Sequence, residues 1–138
     1  MKKGDARRGE LLATAERLFY TKGYEKTSVQ DILNEMNFSK GGFYHHFDSK
    51  LAVLEAICEL RAQECGAQAR QAADRTEGTA VDKLNAVFHD SAILTSGNSG
   101  FISLMIQVAY REDGALMREK MRSSQMEAML PVLRDILA

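Results

Sequence analysis

The 138-residue sequence has a single proline, no tryptophan and only two cysteines. No stretch reaches the roughly 18 consecutive apolar residues of a membrane span, and residues 1–10 are charged, without the apolar core of a signal peptide. Strand-like runs of alternating apolar and polar residues are also lacking, whereas alanine, leucine, methionine and glutamate are common. These features predict an all-α chain whose 45% apolar residues are enough for a packed core.

The sequence also lacks the residue sets that metal binding and catalysis need. Cys58 and Cys65 lie on one predicted helix, about 10 Å apart between Cα atoms, which is too far for a disulfide. No C-x-x-C motif or phosphate-binding loop is present, and the adjacent His45 and His46 diverge on a helix instead of converging on one ion. His89 is a lone histidine with polar neighbours. We therefore expect no metal, no cofactor and no enzymatic activity, and assign both cysteines to the core or to a pocket lining.

Charge is distributed unevenly along the chain. Residues 1–50 carry nine Lys and Arg against seven Asp and Glu, and residues 51–138 carry nine against twelve. The formal net charge of −1 is thus the sum of a weakly basic N-terminal part and an acidic remainder. The basic residues at the extreme N-terminus form either an arm for an anionic partner or a solvated tail. They are Lys2, Lys3, Arg7 and Arg8.

Two short helices joined by a tight turn are predicted within residues 27–50. Thr27 or Ser28 can cap the first helix, whose apolar residues then recur at helical spacing. These apolar residues are Val29, Ile32, Leu33 and Met36. Asn37 tolerates the left-handed conformation that ends helices, and Ser39 can cap the second helix. The pattern predicts a helix-turn-helix motif.

The second helix of this motif, residues 39–46, is suited to contact DNA. Phe43 and Phe47 lie four residues apart and are expected to face the core. The adjacent Gly41 and Gly42 each cost a helix roughly 1 kcal/mol relative to alanine, which suggests that the backbone must approach a phosphate or a base edge closely. In helix-turn-helix motifs the second helix enters the major groove, and its N-terminal residues meet base edges.

A longer segment around this motif resembles the TetR family of transcriptional regulators. The segment comprises GYEKTS at 23–28, Ile32, FSKGGFYHHF at 38–47, Ser49-Lys50 and Leu54. The resemblance implies a three-helix DNA-binding domain over residues 1–48. It also implies that a long helix joins this domain to a helical ligand-binding and dimerisation domain over residues 49–138.

The same resemblance assigns DNA contacts to individual residues. The residues expected at base edges are Lys40, Gly41, Gly42 and His45. Those expected at phosphates are Thr27, Ser28, Ser39, Tyr44, His46 and Lys50. Lysine can donate to guanine or to a phosphate, and hydroxyls and helix N-termini suit phosphates, while His46 has steadying the helix as its alternative role. The sequence departs from the family at Gly42, where threonine is common, and at Asn37, which replaces the usual turn glycine.

Periodic apolar residues predict five more helices outside the motif. They lie at residues 5–22, 49–74, 79–94, 101–111 and 113–137, with a loop at 95–100. The inner face of the 79–94 helix would carry Val81, Leu84, Val87 and Phe88. The 101–111 helix is apolar on most sides and is therefore expected to be buried. Pro131 should kink or split the last helix.

Six residues of the second domain are candidates for the lining of a ligand cavity. They are Cys58, Phe88, Phe101, Met105, Tyr110 and Met117. Methionine is flexible and suits adaptable pockets, although each of these residues fits an ordinary core at least as well. The family resemblance favours a small-molecule site among them.

The function implied by the resemblance is a ligand-responsive repressor in the bacterial cytoplasm. A homodimer would bind a palindromic operator in double-stranded DNA, and an unidentified small-molecule inducer would shift the long helix and lower the affinity for DNA. The alternative is a helical small-molecule-binding or interaction protein without operator binding. Proteins of the family usually continue with two further helices beyond the equivalent of Ala138, so the chain is either truncated or dimerises differently. The candidates for an exposed dimer patch are Met121, Met126 and Met129.

Overall fold

The computed structural model describes residues 3–90, 99–109, 111 and 114–138. Its helices are α1 Lys3–Lys22, α2 Val29–Met36, α3 Lys40–His46, α4 Lys50–Arg75, α5 Ala80–Asp90, α6 Ser99–Ala109 and α7 Ala115–Leu137. The described residues contain no strand, which confirms the predicted all-α fold. None of these helices combines the length and apolar character that crossing a membrane requires. The loop predicted at 95–100 lies outside the described residues except for its last two, which already belong to α6.

The turn between α2 and α3 is built by local contacts. Ser28 Oγ accepts a hydrogen bond from the Asp31 N–H at 3.0 Å, and the Asp31 carboxylate accepts one from the Ser28 N–H at 2.9 Å, so the two residues form a capping box. Hydrogen bonds from the Ser28 backbone and from Lys22 lower the pKa of Asp31 to about 2. Asn37 ends α2 in the left-handed conformation, with φ 51° and ψ 51°, as predicted for its type.

One apolar core joins the first three helices to α4, α6 and α7. Its largest fully buried members include Leu11, Phe19, Ile32, Phe43, Leu54, Ile57 and Leu104. Tyr24 packs back on α1 as predicted, with its ring edge-on to Phe19 and 5.2 Å between ring centroids. The core therefore crosses the domain boundary predicted at residue 48, and the helix-turn-helix rests on the helices that follow it.

A buried acidic residue fixes α1 on α4. Glu16 is almost completely buried and forms an ion pair with Arg61 of α4. Tyr20 donates its hydroxyl proton to the Glu16 carboxylate at 2.7 Å, and burial together with this hydrogen bond raises the pKa of Tyr20. Because removing Arg61 would leave the buried Glu16 carboxylate uncompensated, this contact stabilises the packing of α1 on α4.

α4 and α7 form the most extensive helix pair in the described structure. They approach closely at Gly66, where a Cβ atom would lie 2.9 Å from the Ala128 carbonyl oxygen. Beyond this crossing lies a second apolar cluster of Ala69, Ala72, Ala73, Val87, Val132 and Ile136. Arg70 of α4 and Asp135 of α7 form an ion pair of 2.7 Å at the edge of these two helices.

The apolar faces of α5 and α6 differ from the predicted ones. The prediction that α6 is buried on all sides is wrong, because Ile106 is 54% exposed although Leu104 is buried. On α5, Val87 is fully buried, but Val81 and Phe88 are exposed. The physical reason is that each helix packs on neighbours at one side only, α6 on α1 and α7, and α5 on α4 and α7.

α7 runs without a break from Ala115 to Leu137, so Pro131 does not split it. The proline ring lies on the exposed side of the helix. Because proline has no backbone N–H to donate, the carbonyl oxygen one turn earlier loses its partner in the helix and can bind water instead. Of the three methionines expected in an exposed patch, only Met126 is exposed. Met121 and Met129 are partly buried against the two apolar clusters.

Candidate nucleic-acid interface

α3 has one apolar and one polar face. Phe43 is fully buried and Phe47 nearly so, with 6.3 Å between their ring centroids. The exposed residues of α3 are Lys40, Gly41, Tyr44 and His45. Because residues three and four positions apart share a helix face, the pairs Lys40–Tyr44 and Gly41–His45 lie side by side on one accessible surface. The core contacts of the two phenylalanines hold that face outward.

The two glycines of α3 have different surroundings. A Cβ atom on Gly42 would lie 2.6 Å from Cζ of Phe38, whereas one on Gly41 would meet nothing within 4 Å. Gly42 is also half-buried, and its N–H donates to Ser39 Oγ at 3.0 Å. The interpretation that both glycines permit close approach to DNA is therefore corrected. Gly42 makes room for the Phe38 ring, and only Gly41 is open to an approaching backbone or base.

The caps of α2 and α3 suit phosphate oxygens. Ser28 and Ser39 are exposed, and each hydroxyl accepts a hydrogen bond from a backbone N–H in the first turn of its helix. Each hydroxyl therefore still has a proton to donate. His46 is half-buried, with its ring edge-on to that of His45 at 5.1 Å between centroids, which agrees with a steadying role.

Thr27 does not lie where a phosphate contact requires it. Its side chain is fully buried, and Oγ1 donates to the carbonyl oxygens of Gly23 at 2.8 Å and Leu18 at 3.3 Å. The predicted phosphate role of Thr27 is therefore corrected. The residue ties the loop before α2 to the end of α1.

Lys50 has a partner within the fold. Its Nζ atom donates to the Tyr24 carbonyl oxygen at 2.8 Å and lies 4.1 Å from the centroid of the Tyr24 ring. Partial burial lowers the pKa of Lys50. The ammonium group has three donor hydrogens, so a phosphate contact of Lys50 would come in addition to this bond. The sequence pattern gave no sign of the Tyr24 contact, which joins residues far apart in the chain.

Two arginines of α1 flank α3, and the sequence alone did not place them there. The Arg7 guanidinium lies 4.7 Å from the centroid of the Phe38 ring, just before α3, and that of Arg8 lies 4.9 Å from the Phe47 ring, just after it. Arg7 also pairs with Glu10 at 2.6 Å. Arg8 makes no ion pair with the residues that the structure describes. The only signal in the sequence was the cluster of basic residues near the N-terminus.

Three of the residues predicted to line a ligand cavity are buried together. Cys58, Met105 and Met117 belong to the main core, with 3.5 Å between Cys58 Sγ and Met105 Sδ. Burial and the nearby glutamates raise the pKa of Cys58 to about 12, so the side chain remains a thiol. Cys58 and Met117 also border a cavity of about 200 Å³ between α4 and α7. Both cysteines are free and buried, as their assignment to core or pocket predicts.

Of the other three cavity candidates, the structure describes the side chain of Phe88 alone. The prediction for Phe88 is wrong, because its side chain is 69% exposed on α5. The period-based assignment failed there because α5 turns Val87 to the core, with Ala80, Leu84 and Ala86 partly buried beside it, and Phe88 lies on the other side of the helix. Tyr110 and the side chain of Phe101 lie outside the described residues.

Residues 11–57 match the family described as bacterial regulatory proteins, tetR family. The HTH-type transcriptional regulator YerO of Bacillus subtilis, described as uncharacterized, is 47% identical over 49 residues, which are 36% of this chain and 17% of that protein. YuxN of the same organism, also an uncharacterized HTH-type regulator, is 28% identical over 131 residues, or 91% of this chain and 44% of that protein. The chain thus spans less than half the length of these curated relatives.

Solved structures agree with this match. The reduced form of NemR from E. coli is 25% identical with a TM-score of 0.67, covering 94% of this chain and 69% of that one. A TetR/AcrR-family regulator from Thermobifida fusca, at 22% identity, shares the fold with a TM-score of 0.68 over 95% of this chain and 68% of that one. The chain shares the fold of these solved structures, and its residues 11–57 belong to the tetR family of bacterial regulatory proteins. This is a class of transcriptional regulators, in agreement with the prediction that the chain is not an enzyme.

Proposed function

We propose that the chain is a transcriptional repressor that binds a palindromic DNA operator as a homodimer and is released by a small-molecule inducer. The observation that carries this proposal is the exposed polar face of α3, with Lys40 at its N-terminal end and Phe43 and Phe47 held in the core. A helix presented in this way fits the major groove. Two-fold symmetry of the protein would be mirrored in the two half-sites of the operator.

Base reading would fall to the N-terminal half of α3. Lys40 can donate to guanine O6 or N7, and Gly41 lets the backbone come close because no side chain intervenes. His45 lies one turn further along the same face. Phe38 fills the space above Gly42, so Gly42 would shape this surface without touching a base.

Phosphate contacts would position α3 in the groove. The donors proposed for this role are the hydroxyls of Ser28, Ser39 and Tyr44, the ammonium of Lys50 and, added from the structure, the guanidinium of Arg8. The rings of Phe38 and Phe47 hold the arginines of α1 at both ends of α3. Stacking of this kind orients a guanidinium while leaving its donors available to an anion.

Release by an inducer would work through α4. This helix starts one turn after α3 and continues to Arg75, packed along α7. A ligand that binds better to one position of α4 than to another shifts the equilibrium by that difference in affinity. In this scheme residues 1–48 form the DNA-binding domain and residues 49–138 the regulatory one.

The experiment is selection of duplexes from a random pool by the purified chain, followed by sequencing. Enrichment of a palindrome is the expected result, and Lys40→Ala should relax the preference at one position of each half-site. Arg134→Ala, which removes an exposed cation on α7, is the matched control and should leave the profile unchanged. A pool without any enriched sequence would contradict operator binding and favour a ligand-binding protein that does not recognise DNA.

A further inference from the structure

Phe38 lies between the two helices of the helix-turn-helix and is held there by contacts on several sides. Its N–H donates to the Leu33 carbonyl oxygen at 3.0 Å, a bond that closes the turn after α2. Its half-buried side chain packs against the main core, and the Arg7 guanidinium lies 4.7 Å from the ring centroid. These contacts fix the position of the ring relative to α3.

The end of this ring occupies the space in which a side chain at position 42 would start. A Cβ atom on Gly42 would lie 2.6 Å from Cζ and 2.8 Å from Cε2 of Phe38. Successive residues of an α-helix lie about 100° apart around its axis, so Gly42 borders the exposed surface that carries Gly41 and His45. The Phe38 ring therefore lies along one edge of that surface.

An apolar group at this edge would meet a base pair when α3 enters the major groove, a step that rests on the proposed function. The polar groups of Lys40 and His45 suit the polar atoms of base edges, whereas thymine also presents an apolar C5 methyl group in this groove. Phenylalanine is one of the side chains that contact this methyl group. Burying the two apolar surfaces against each other would favour thymine over cytosine at that position.

We propose that Phe38 is a specificity-determining residue of the DNA interface, and that its ring contacts the C5 methyl group of a thymine in each half-site. Gly42 contributes by leaving room for the ring beside α3. The type and spacing of Phe38 in the sequence do not assign it this role, because the position of its ring depends on the packing of α1 and α3.

The test uses the duplex selected from the random pool, with deoxyuridine replacing one thymine at a time. Uracil pairs with adenine as thymine does and lacks only the C5 methyl group. The wild type should bind about two- to fivefold more weakly when one particular thymine of a half-site is replaced, as expected for the loss of one buried methyl group. Phe38→Ala should show no loss at that thymine and should respond as the wild type does at every other one.

Two control variants separate this contact from a general effect on folding. Phe38→Leu keeps an apolar side chain and should retain part of the response to deoxyuridine. Leu60→Ala removes an exposed apolar side chain of α4 and should respond like the wild type. Each ratio compares two duplexes on the same protein, so a uniform loss of folded protein or of DNA affinity cancels.

A second measurement needs no variant. In the complex of the wild type with the selected duplex, the ring protons of Phe38 should show a nuclear Overhauser effect to a thymine methyl group. Absence of this effect, with the α3 amide resonances shifted by the duplex, would overturn the proposal.

The packing of the ring can also be measured without DNA. Gly42→Ala should raise the midpoint of urea unfolding more in Phe38→Ala than in the wild type, because in the wild type the new methyl group has to displace the ring. Equal changes in both backgrounds would show that the ring does not occupy the space beside Gly42 and would overturn the proposal.

Failure of this inference is distinguishable from failure of the proposed function. An enriched duplex in which no thymine replacement weakens binding, or in which Phe38→Ala responds like the wild type, would overturn the role of Phe38 and leave operator binding intact. A pool without any enriched duplex would overturn both.

Discussion

The surface around α3 and the α4–α7 pair differ in whether their charged residues form ion pairs within the chain. Two cations of α4 and α7 are paired across these helices, Arg70 with Asp135 and Lys120 with Glu55, although Arg134 of α7 is exposed. Beside α3, Lys40 and Arg8 make no ion pair with any residue that the structure describes. An exposed cation without an internal carboxylate is available to an external anion. Together with the exposed face of α3, this difference supports the proposal that DNA binds at the α3 surface.

The glycines of the two regions also differ, because contacts within the chain require one of them and not the other. Gly66 is required by the close approach of α7, whereas a side chain on Gly41 would meet open space. A helix that keeps a glycine without a packing reason gives up stability. Because no contact in the described structure requires glycine at position 41, we infer that contact with an external partner does.

The largest expected effect is that of a substitution in the α4–α7 pair. Gly66→Leu should lower the free energy of unfolding by about 1–3 kcal/mol, because the side chain would overpack the crossing at Ala128. Gly41→Ala should raise it by up to about 1 kcal/mol through helix propensity and weaken DNA binding. Urea denaturation of both variants measures the two changes. If both variants are less stable than the wild type, the inferred difference between Gly41 and Gly66 is contradicted.

The second prediction concerns the exposed cation of α3. Lys40→Ala should cost about 1–3 kcal/mol of discrimination at one base pair of each half-site, with the free energy of unfolding unchanged. Lys120→Ala removes a paired cation instead and should leave base preference as it was. Competition binding with single-base variants of the selected duplex gives the profile. An unchanged profile for Lys40→Ala would exclude it as a base reader.

The third prediction concerns Arg8. Arg8→Gln should weaken binding to all duplexes alike and reduce the slope of log affinity against log salt by about one, as expected for one lost phosphate contact. Arg70→Gln is the control, since its guanidinium is engaged by Asp135. Titrations at several salt concentrations measure the slopes. Equal slopes for wild type and Arg8→Gln would show that the ring contact with Phe47 serves packing only.

The smallest expected effect is a dependence on pH at the capping box. The pKa of Asp31 falls from 3.8 to about 2 in the folded chain, so its contribution to stability is complete above about pH 4 and is lost as the pH falls toward 2. Asp31→Asn should therefore be less stable than wild type near neutral pH, and the difference should shrink over that acid range. Thermal unfolding from pH 6 down to 2 measures it. A difference that stays constant would contradict the lowered pKa.

Local signals allowed the helix-turn-helix to be predicted from the sequence. The cap at Ser28, the left-handed Asn37 and the cap at Ser39 each depend on residues within a few positions in the chain, so their types and spacing were sufficient. The spacing of Phe43 and Phe47 likewise predicted which face of α3 is buried. The exposed side of α3, which we propose faces DNA, followed directly from these features.

Contacts between distant residues could not be predicted in this way. Thr27 has the residue type of a phosphate donor, but its burial depends on how the loop folds back on Leu18. The tie between Lys50 and Tyr24 and the stacking of Arg8 on Phe47 are set by tertiary packing. On α5 the helical period was assigned correctly, yet which residues it turned inward depended on the positions of α4 and α7.

The most direct test of the central claim is a map of amide resonances of the labelled chain on adding the selected duplex. The account predicts that the largest shifts occur in residues 39–46, with smaller ones at Ser28 and Arg8 and little change along α5 and α7. Largest shifts in α5 or α7, with α3 unchanged, would contradict the claim that α3 is the helix that enters DNA.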